Sequence, residues 1–516
     1  MKHRMMDTAI INWLPVKTAL VGIIVFLLVM SYLQRKQYKM PPGPPHLPIL
    51  GHYFAFRNDG RLYAVFNKLG KSFDDIFTVN LGFGRSLVVL KSAEIVHEAL
   101  VEKKEIFAGR DDESWKFELL TDGFKDLTFA SYGPVWRLQR QMTLRALGSY
   151  LASDKLETYT RSAFEEVAAL IEKEAEPFEL DLYIRLLVFN IVCRMSFGKR
   201  CITVEIISYA IDGLEFTWLK NKIGEFNEKV LGGLIPSDVI PVLKHFPIPS
   251  SLTAKRLSKE LDGFFKVKLE EHKATLNTGD ARDIMDQFLL LKEELTPESD
   301  DNAKEALSDT RIMLTLLDIN FAATVTTSDT LNWMVMYVAD NPKVQTKIHK
   351  ELDDLENNLG DLRHCRTKMT YCEAVLREVM RIRPGAPVAL RHKTRCDTKL
   401  GGYDIPKDTL VYPNIWAIHH DPKNWESPET FMPERFLDKD GSLKKLDKKT
   451  WLPFGRGKRK CVGEALARAE IGMIMALFFR RFSVSFPPDV QPDFEPMMFE
   501  IHDTPFPQKI IVQKRE

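Results

Sequence analysis

The chain has 516 residues, of which 45% are hydrophobic and 28% are charged, and its formal net charge at pH 7 is +1. This near-neutral balance gives no argument for nucleic-acid binding, and the composition is sufficient for a large globular core. No glycine- or serine-rich linker divides residues 46–516, so we interpret them as one large domain.

The six cysteines are irregularly spaced and include no Cys-x-x-Cys pair, which favours neither a zinc site nor a redox dithiol. We expect all of them except Cys461 to be reduced core or surface residues in a domain that faces the cytosol. These five are Cys193, Cys201, Cys365, Cys372 and Cys396.

The first strongly apolar segment is residues 9–33. Because about 20 apolar residues span a bilayer as a helix, residues 1–33 are predicted to be a transmembrane anchor. A cleaved signal peptide is the competing interpretation, but no small-residue cleavage site follows. Residues 34–45 are basic and then proline-rich, which predicts a stiff extended hinge. Basic residues on the two sides of the anchor balance, so charge alone leaves its orientation open.

Helical periodicity dominates the remainder of the chain. Two short strands are predicted on either side of Gly82-Phe83-Gly84, within residues 78–90. Helices are predicted at 93–102, 135–147, 155–174, 182–197, 252–274, 309–339, 344–354 and 371–381. Residues 231–251, rich in proline and glycine, interrupt this pattern.

One cysteine near the C-terminus lies in a loop of glycines and basic residues, directly before an apolar helical pattern. Basic neighbours and a helix N-terminus both favour the thiolate of Cys461. A thiolate on a loop that can approach a flat ligand closely suits axial ligation of haem iron. On composition alone, a free cysteine in a basic surface loop is the alternative.

The pattern Phe-x-x-Gly-x-Arg-x-Cys-x-Gly resembles the haem-binding signature of the cytochrome P450 monooxygenases. Its fixed positions are filled by Phe454, Gly457, Arg459, Cys461 and Gly463. The resemblance covers essentially the whole chain and is strongest to the animal steroid 17-alpha-hydroxylases. It implies a mostly α-helical P450 fold, a helical bundle with small β-sheets, behind an N-terminal transmembrane helix. It also implies haem b, with Cys461 as the ligand to its iron and Arg459 as a cofactor contact.

Further haem contacts follow from the same resemblance. Trp136 and Arg140 lie at i and i+4 on one helix face and match the family's Trp-x-x-x-Arg, whose side chains hold a haem propionate. Arg110 and His392 resemble two further propionate ligands, and Arg391 is the local rival of His392.

An ion pair on the helix at 371–381 has a structural counterpart in the family. Glu378 and Arg381 lie at i and i+3, where an exposed pair contributes only about 0.2–0.5 kcal/mol. Their apolar neighbours favour partial burial. The pair matches the family's Glu-x-x-Arg, with Arg435 as the third member of a network that supports the haem-side core.

The long apolar helix at 309–339 carries the family's oxygen-activation pattern, in which an acid and an alcohol relay protons. Residues 322–326 fit this pattern when Asp318-Ile319 and Trp333 fix the register. Thr326 then supplies the alcohol, but Val325 occupies the position of the acid. Asp329 is the predicted catalytic substitute acting through water, with an N-cap-like or solvated role as the alternative. A register shifted by one turn pairs Asp329 with the next threonine but misplaces Trp333.

The resemblance implies insertion of one oxygen atom from O2 into a lipophilic substrate, with a steroid as one candidate. Electrons come from NADPH through NADPH-cytochrome P450 reductase, with cytochrome b5 as a further candidate partner. The basic cysteine loop and Lys444, Lys445, Lys448 and Lys449 form the predicted docking surface for the acidic reductase. Pocket contacts are expected from Phe216, Ala322, Ala323, Val388 and Ile501.

The resemblance also implies a single-pass protein of the endoplasmic reticulum membrane whose catalytic domain faces the cytosol. Residues 231–251 then belong to a lid over the substrate channel. An alternative function is a haem-thiolate isomerase or lyase that rearranges an oxygenated lipid without a reductase. Val325 keeps that alternative open, whereas Thr326 and the basic patch weigh against it. A non-enzymatic carrier of haem or lipid is the third hypothesis for the function of this protein.

Overall fold

The structure, a computed structural model, describes most of the predicted large domain. The described ranges are 38–47, 50–58, 61–82, 85–199, 249–295, 299–355, 368–497 and 502–516, with isolated positions in 18–29 and 218–225. The predictions for Phe216, for Ile501 and for nearly all of the lid at 231–251 therefore lie outside the described residues.

The described residues are mostly helical with small sheets, as predicted. The helices are α1 (Tyr53–Asn58), α2 (Leu62–Leu69), α3 (Ala93–His97), α4 (Trp115–Leu120), α5 (Pro134–Ala152), α6 (Lys155–Ile171), α7 (Leu180–Phe197), α8 (Pro249–Thr275), α9 (Ile284–Glu293), α10 (Asp301–Ala306), α11 (Asp309–Asp340), α12 (Pro342–Asp354), α13 (Thr370–Ile382), α14 (Ile415–His419) and α15 (Glu464–Arg481). Each predicted helix is present, and the segment at 93–102 consists of α3 and a π-helical turn, Glu98–Glu102.

The strands form three small sheets. They are β1 (Ile76–Gly82), β2 (Arg85–Leu90), β3 (Phe178–Glu179), β4 (His392–Lys393), β5 (Thr398–Leu400), β6 (Tyr403–Ile405), β7 (Leu410–Pro413), β8 (Phe482–Ser485) and β9 (Lys509–Lys514). The largest sheet has the order β1-β2-β7-β4, in which β2 and β7 run parallel. A second sheet, β3-β9-β8, joins the C-terminal strand to the helical core. The two strands predicted around residues 82–84 are β1 and β2, paired antiparallel.

The central helix α11 organises the core. Its 32 residues end at Asp340, with Asn341 as the cap, because Pro342 lacks the N–H that the helix would need and instead begins α12. Trp333 is among the largest fully buried side chains of the molecule. Within this buried helix, Asp318, Ala322 and Thr326 remain accessible, and their four-residue spacing places them on one face.

One prediction about the cysteines is wrong. Cys193 on α7 is disulfide-bonded, whereas Cys372, Cys396 and Cys461 are free, so its partner lies outside the described residues. Cysteine spacing can indicate a metal motif or a small disulfide framework, but it carries no signal for one isolated pair in a long chain.

In the part of the chain that the structure describes, no helix is both long enough and apolar enough to cross a bilayer. The transmembrane segment predicted within residues 1–33 falls mainly on residues outside that part and stays a prediction.

Candidate active site

The cysteine loop is held by backbone contacts on both sides of Cys461. The Cys461 amide donates to the Phe454 carbonyl at 3.0 Å, and a short 3₁₀ turn, Gly457–Arg459, lies between them. Gly457 has a φ of +72°, and a side chain there would collide with the carbonyl oxygen of Leu100. This position therefore requires glycine, and the loop presents Cys461 just before α15 begins at Glu464.

Cys461 is a free thiol that is accessible to solvent. Burial by the surrounding protein raises the pKa of Cys461, while the amide of Gly463 lowers it and the charge of Glu464 raises it further. Arg140 and the backbone amides at the start of α15 lower the pKa in the predicted direction, but desolvation is larger and determines the direction of the shift in the polypeptide by itself. A coordinated metal cation deprotonates a thiol outright, so the thiolate at Cys461 belongs to the metal-bound protein.

Arg459 lies at the centre of a buried cationic cluster. Its guanidinium carbon is 3.9 Å from the centre of the Trp136 ring. Its Nε donates to the Ala108 carbonyl at 2.8 Å and its Nη2 to the Ala130 carbonyl at 2.6 Å. Its Nη1 is buried and has no partner among the described residues. An unpartnered donor on a buried cation indicates a binding site for an anionic ligand.

Arg110 and His392 complete the cluster from the opposite side. Arg110 donates through Nη1 to the carbonyl of Leu390 at 3.1 Å, and Nδ1 of His392 lies 2.6 Å from the carbonyl oxygen of Phe107. Arg391 instead forms an ion pair with Asp111 at 3.1 Å. The structure therefore brings His392, rather than its rival, to the cluster.

The cluster carries more positive charge than its surroundings neutralise. Burial lowers the pKa of Arg459 well below its usual value, and the charge of Arg110 lowers it further. Burial lowers the pKa of Arg110 to about 10, although the Asp126 carboxylate partly offsets this. Burial and the charge of Arg110 also lower the pKa of His392 well below its usual value. Two carboxylates of a bound ligand would relieve this mutual repulsion.

Trp136 and Arg140 both lie against the cluster, but their polar groups bind backbone carbonyls. The Trp136 indole N–H donates to Leu127 at 2.9 Å, and Arg140 donates to the carbonyl of Lys460. Arg140 also lies over the Trp136 ring, 5.6 Å from its centre. In this arrangement Trp136 supports the two arginines through its ring face, so a propionate contact from its N–H stays a prediction.

Thr326 and Val325 differ in exposure on α11, and the register that makes them the alcohol and the acid position stays a prediction. The Thr326 hydroxyl donates to the Ala322 carbonyl at 2.7 Å, and Val325 is buried. Asp329 is 1% exposed; it accepts hydrogen bonds from Arg185 at 3.0 Å and from the Thr504 hydroxyl at 2.7 Å. The alternative of a solvated or N-cap-like Asp329 is wrong, because both carboxylate oxygens are bound inside the fold.

The pocket predictions have mixed outcomes. Ala322 is exposed and Ala323 is half-buried on the accessible side of α11. Val388, by contrast, is 1% exposed and packs in an apolar cluster with residues of β1, β2 and β7. It offers no accessible surface, because side chains of the largest sheet cover it.

Glu378, Arg381 and Arg435 form one network. Glu378 and Arg381 have fully buried side chains, joined at 2.8 Å through Nε and at 2.9 Å through Nη2 of Arg381. Nε of Arg435 adds a third hydrogen bond to Glu378 at 3.0 Å. The pair is thus fully rather than partly buried, and it ties α13 to the segment around Arg435.

Two desolvated carboxyl groups lie beside this site, and neither was predicted from the sequence to be a site residue. Oδ2 of Asp318 accepts hydrogen bonds from the amides of Leu127 at 2.9 Å and Thr128 at 3.0 Å. Burial raises the pKa of Asp318 well above its usual value, and it raises the pKa of Asp126 to about 6. Periodicity could have found Asp318, because it lies one turn before Ala322. It could not have found Asp126, which lies on a loop distant in sequence.

An accessible cysteine, a buried cationic cluster beside it and an alcohol-bearing central helix together suit a haem site. The family model described as Cytochrome P450 matches residues 41–510. The chain therefore belongs to the cytochrome P450 family, whose members are haem-thiolate monooxygenases. The recognition of this family in the sequence is confirmed.

Individual relatives cover nearly the whole chain. Cytochrome P450 1A1 of Mesocricetus auratus is 34% identical over 476 residues, which cover 90% of this chain and 88% of the relative. Steroid 17-alpha-hydroxylase/17,20 lyase of Squalus acanthias is 31% identical over 501 residues, 94% of each chain. A solved zebrafish cytochrome P450 with progesterone has a TM-score of 0.74 at 29% identity, covering 88% of this chain and 99% of that one. The similarity to the steroid 17-alpha-hydroxylase branch is thus confirmed.

The family implies a haem-thiolate cofactor, and the residues present fit that group. Cys461 offers an accessible sulfur on a loop that approaches closely. The unpartnered Nη1 of Arg459, with Arg110 beside it, supplies positive charge for the propionates, and His392 lies in the same cluster.

Proposed function

We propose that this protein is a monooxygenase that inserts one oxygen atom from O2 into a lipophilic substrate, using electrons from NADPH. The observation that carries the proposal is the accessible Cys461 in a fold whose central helix presents Asp318, Ala322 and Thr326 on one accessible face. Bound haem b supplies the binding and reductive activation of O2.

The residues of the chain have separate tasks around that group. Cys461 holds the iron, while Arg110, His392 and Arg459 hold and neutralise the propionates. The Thr326 hydroxyl donates a proton on the accessible side of α11. To do so, it gives up its hydrogen bond to the Ala322 carbonyl. Ala322 leaves room for an apolar substrate, because its side chain is the smallest that keeps the helix regular.

We propose a steroid or similarly shaped lipid as the substrate. The solved zebrafish relatives, at 29% and 28% identity, are structures with progesterone and with abiraterone. The small side chains of Ala322 and Ala323 on the accessible face favour a broad, flat substrate. The Asp318 carboxyl one turn away can meet a polar group at one end of such a molecule.

We propose NADPH-cytochrome P450 reductase as the electron donor, with cytochrome b5 as a second partner. Lys444, Lys445, Lys448, Lys449 and Lys460 are exposed near the cysteine loop and form what we call the basic patch. A positive patch speeds encounter with an acidic partner, and the effect weakens with salt. We further propose a single-pass protein of the endoplasmic reticulum membrane, with residues 1–33 as anchor, 34–45 as hinge and 46–516 as the cytosolic catalytic domain.

One experiment decides between this function and its main alternative. The haem-loaded protein is mixed with reductase, NADPH and a steroid panel that includes progesterone, under dioxygen carrying a heavy oxygen isotope. We expect a product that contains one heavy oxygen atom and forms only with NADPH. A rearranged product without isotope, formed without NADPH, would favour the isomerase or lyase, for which the buried Val325 at the acid position is the supporting observation.

The docking surface has its own test with a matched control. Lys448→Glu with Lys449→Glu reverses charge in the basic patch, whereas Lys407→Glu reverses one exposed lysine on the turn between β6 and β7. We expect slower reduction and a weaker salt dependence for the first variant and wild-type behaviour for the second. Equal rates in both variants would place the partner on another surface.

A further inference from the structure

The loop at residues 126–130, which we call the bridging loop, lies between the central helix and the cationic cluster. It contains no helix or strand and precedes α5. Oδ2 of Asp318, a half-buried side chain on α11, accepts hydrogen bonds from the amides of Leu127 at 2.9 Å and Thr128 at 3.0 Å. These amides are 191 and 190 residues away in the chain, so the two bonds attach the loop to a distant element of the fold.

The carbonyl groups of the same loop face the cluster. Three side chains of the cluster donate to them: Trp136 to Leu127 at 2.9 Å, Arg110 to Thr128 at 3.0 Å and Arg459 to Ala130 at 2.6 Å. Leu127 and Thr128 therefore each bind α11 through the amide and the cluster through the carbonyl. The bridging loop is thus a direct hydrogen-bonded connection between the central helix and the cluster.

The position of the bridging loop sets the direction of the unpartnered donor on Arg459. A guanidinium is planar, and its N–H groups have a fixed fork geometry. Nε of Arg459 donates to Ala108 at 2.8 Å and Nη2 donates to Ala130 at 2.6 Å, so these two bonds orient the whole plane. Nη1 is the buried donor that has no partner among the described residues. A shift of Ala130 would therefore change the direction in which Nη1 points.

Arg110 depends on the bridging loop in a similar way. Its Nε donates to the Thr128 carbonyl at 3.0 Å, and its Nη1 donates to the carbonyls of Leu390 and Arg391, both at 3.1 Å. The plane of this guanidinium is thus held between the loop and the segment that leads into β4. Loosening the loop would release one of these two sides.

Two carboxyl groups hold the amide side of the bridging loop. Oδ2 of Asp126 accepts hydrogen bonds from the amides of Thr128 at 3.1 Å and Phe129 at 2.7 Å. Asp126 belongs to the loop itself, so Asp318 is the member of the pair that connects the loop to α11. Burial raises the pKa of Asp318 well above its usual value, and the charge of Asp126 adds to this effect. An asparagine, which is uncharged and keeps an oxygen acceptor, therefore resembles Asp318 in its protonated form.

We propose that Asp318 is a positioning residue for haem, because it holds the bridging loop where the loop carbonyls orient Arg110, Trp136 and Arg459. The inference rests on the propionate-binding role proposed above for the two arginines and is independent of the oxygen-insertion step. Every link from Asp318 to these side chains is a hydrogen bond of 3.0 Å or less. A change at Asp318 should therefore alter how firmly the protein holds haem, although Asp318 itself lies on the central helix.

The test measures the transfer of haem to apomyoglobin from the haem-loaded protein. Asp318→Leu removes the acceptor, Asp318→Asn keeps an oxygen for both amides, and Asn320→Leu is the matched control. Asn320 lies on the same helix, but its side-chain amide donates to the Ser196 hydroxyl of α7 at 3.0 Å. We expect Asp318→Leu to release haem at least about threefold faster than the wild type, which is within the range for residues of one hydrogen-bond network. The other two variants should release haem at close to the wild-type rate.

Resonance Raman spectroscopy of the resting ferric proteins gives a second readout, which a general loss of stability would leave unchanged. The bending band of the haem propionates shifts with the hydrogen bonds that they accept. We expect this band to shift in Asp318→Leu and in Arg459→Leu, and to stay at its wild-type position in Asp318→Asn and Asn320→Leu. In the double variant of Asp318→Leu and Arg459→Leu, release should accelerate by less than the product of the two single factors, because both changes act on the same donor.

The outcomes separate the positioning role from the propionate site on which it rests. Wild-type release and a wild-type propionate band in Asp318→Leu, beside faster release from Arg459→Leu, would overturn the positioning role alone. Equal effects of Asp318→Leu and Asp318→Asn would also overturn it, because the oxygen acceptor would then have no influence. Unchanged release from Arg459→Leu would contradict the propionate site and this inference together. If Asp318→Leu fails to fold, Asp318→Ala decides, since wild-type release and a wild-type band in that variant overturn the proposal.

Discussion

Replacing Glu378 with glutamine removes one charge from a fully buried network and leaves its shape unchanged. Glu378 accepts four hydrogen bonds, two from Arg381 at 2.8 and 2.9 Å, one from Arg435 at 3.0 Å and one from the Met432 amide at 2.9 Å. A glutamine amide can accept through one oxygen, but its NH2 group would face an N–H of Arg381. Arg381 and Arg435 would then both lack the negative charge that Glu378 supplies.

The structure sets the size of the effect. Removing one partner of a buried ion pair costs about 3–5 kcal/mol, because the remaining charge is left uncompensated. Folded domains are stable by only about 5–15 kcal/mol, so this loss is a large fraction of the total. The matched control is Glu294→Gln, which disrupts the Arg145–Glu294 pair at 2.8 Å, where both side chains are 55% exposed. An exposed pair contributes about 0–1 kcal/mol.

Urea unfolding of the haem-loaded proteins, followed by circular dichroism, measures both variants. We expect Glu378→Gln to lower the unfolding midpoint strongly and to reduce the yield of haem-loaded protein, whereas Glu294→Gln should lie close to the wild type. Equal midpoints for the two variants would refute the role assigned to the buried network.

Three further predictions follow from the site and its surroundings. Arg459→Leu should release haem to apomyoglobin about tenfold faster or more, since a charge-assisted hydrogen bond contributes about 1.5–3 kcal/mol, whereas Arg456→Leu should not; equal release rates would contradict the propionate site. Ala322→Phe should abolish the spectral shift on progesterone binding without loss of haem, and a wild-type shift would place the substrate elsewhere. Burial raises the pKa of Glu470 from 4.5 to about 8, so the folded protein binds the proton of this carboxyl more tightly than the unfolded chain does. The free energy of unfolding of the wild type therefore falls by about 1.4 kcal/mol per pH unit as the pH rises from 4.5 to 8. Glu470→Gln should therefore unfold at a higher temperature than the wild type above pH 8 and show no such advantage below pH 4.5; parallel pH profiles would contradict this assignment.

Local patterns in the sequence were sufficient for much of the fold. Helix α11 was predicted at 309–339 and is found at Asp309–Asp340. Its length and apolar character were sufficient to exclude a surface helix. The proximity of Glu378 to Arg381 follows directly from their spacing on one helix. The full burial of the Glu378–Arg381 pair could not be predicted in this way, because burial depends on segments distant in sequence, such as the one that contributes Arg435.

The parts of the site that sequence reasoning missed depend on long-range contacts. Asp318 binds the amide of Leu127, which is 191 residues away in the chain. Asp503 lies in an irregular segment with no periodicity to mark it as buried. The basic neighbours of Cys461 and the helix after it could be predicted from the sequence, but the desolvation that raises the pKa of its thiol could not. The disulfide at Cys193 likewise has no local signal.

The central claim, that Cys461 ligates haem iron in this protein, is tested most directly by the carbon monoxide difference spectrum of the reduced protein. Cys461→His replaces the proposed ligand, and Cys396→His is the matched control, because Cys396 is also free and exposed. We expect the red-shifted Soret band of a thiolate-ligated haem in the wild type and in Cys396→His. We expect this band to be lost in Cys461→His. Retention of that band in Cys461→His would contradict the account.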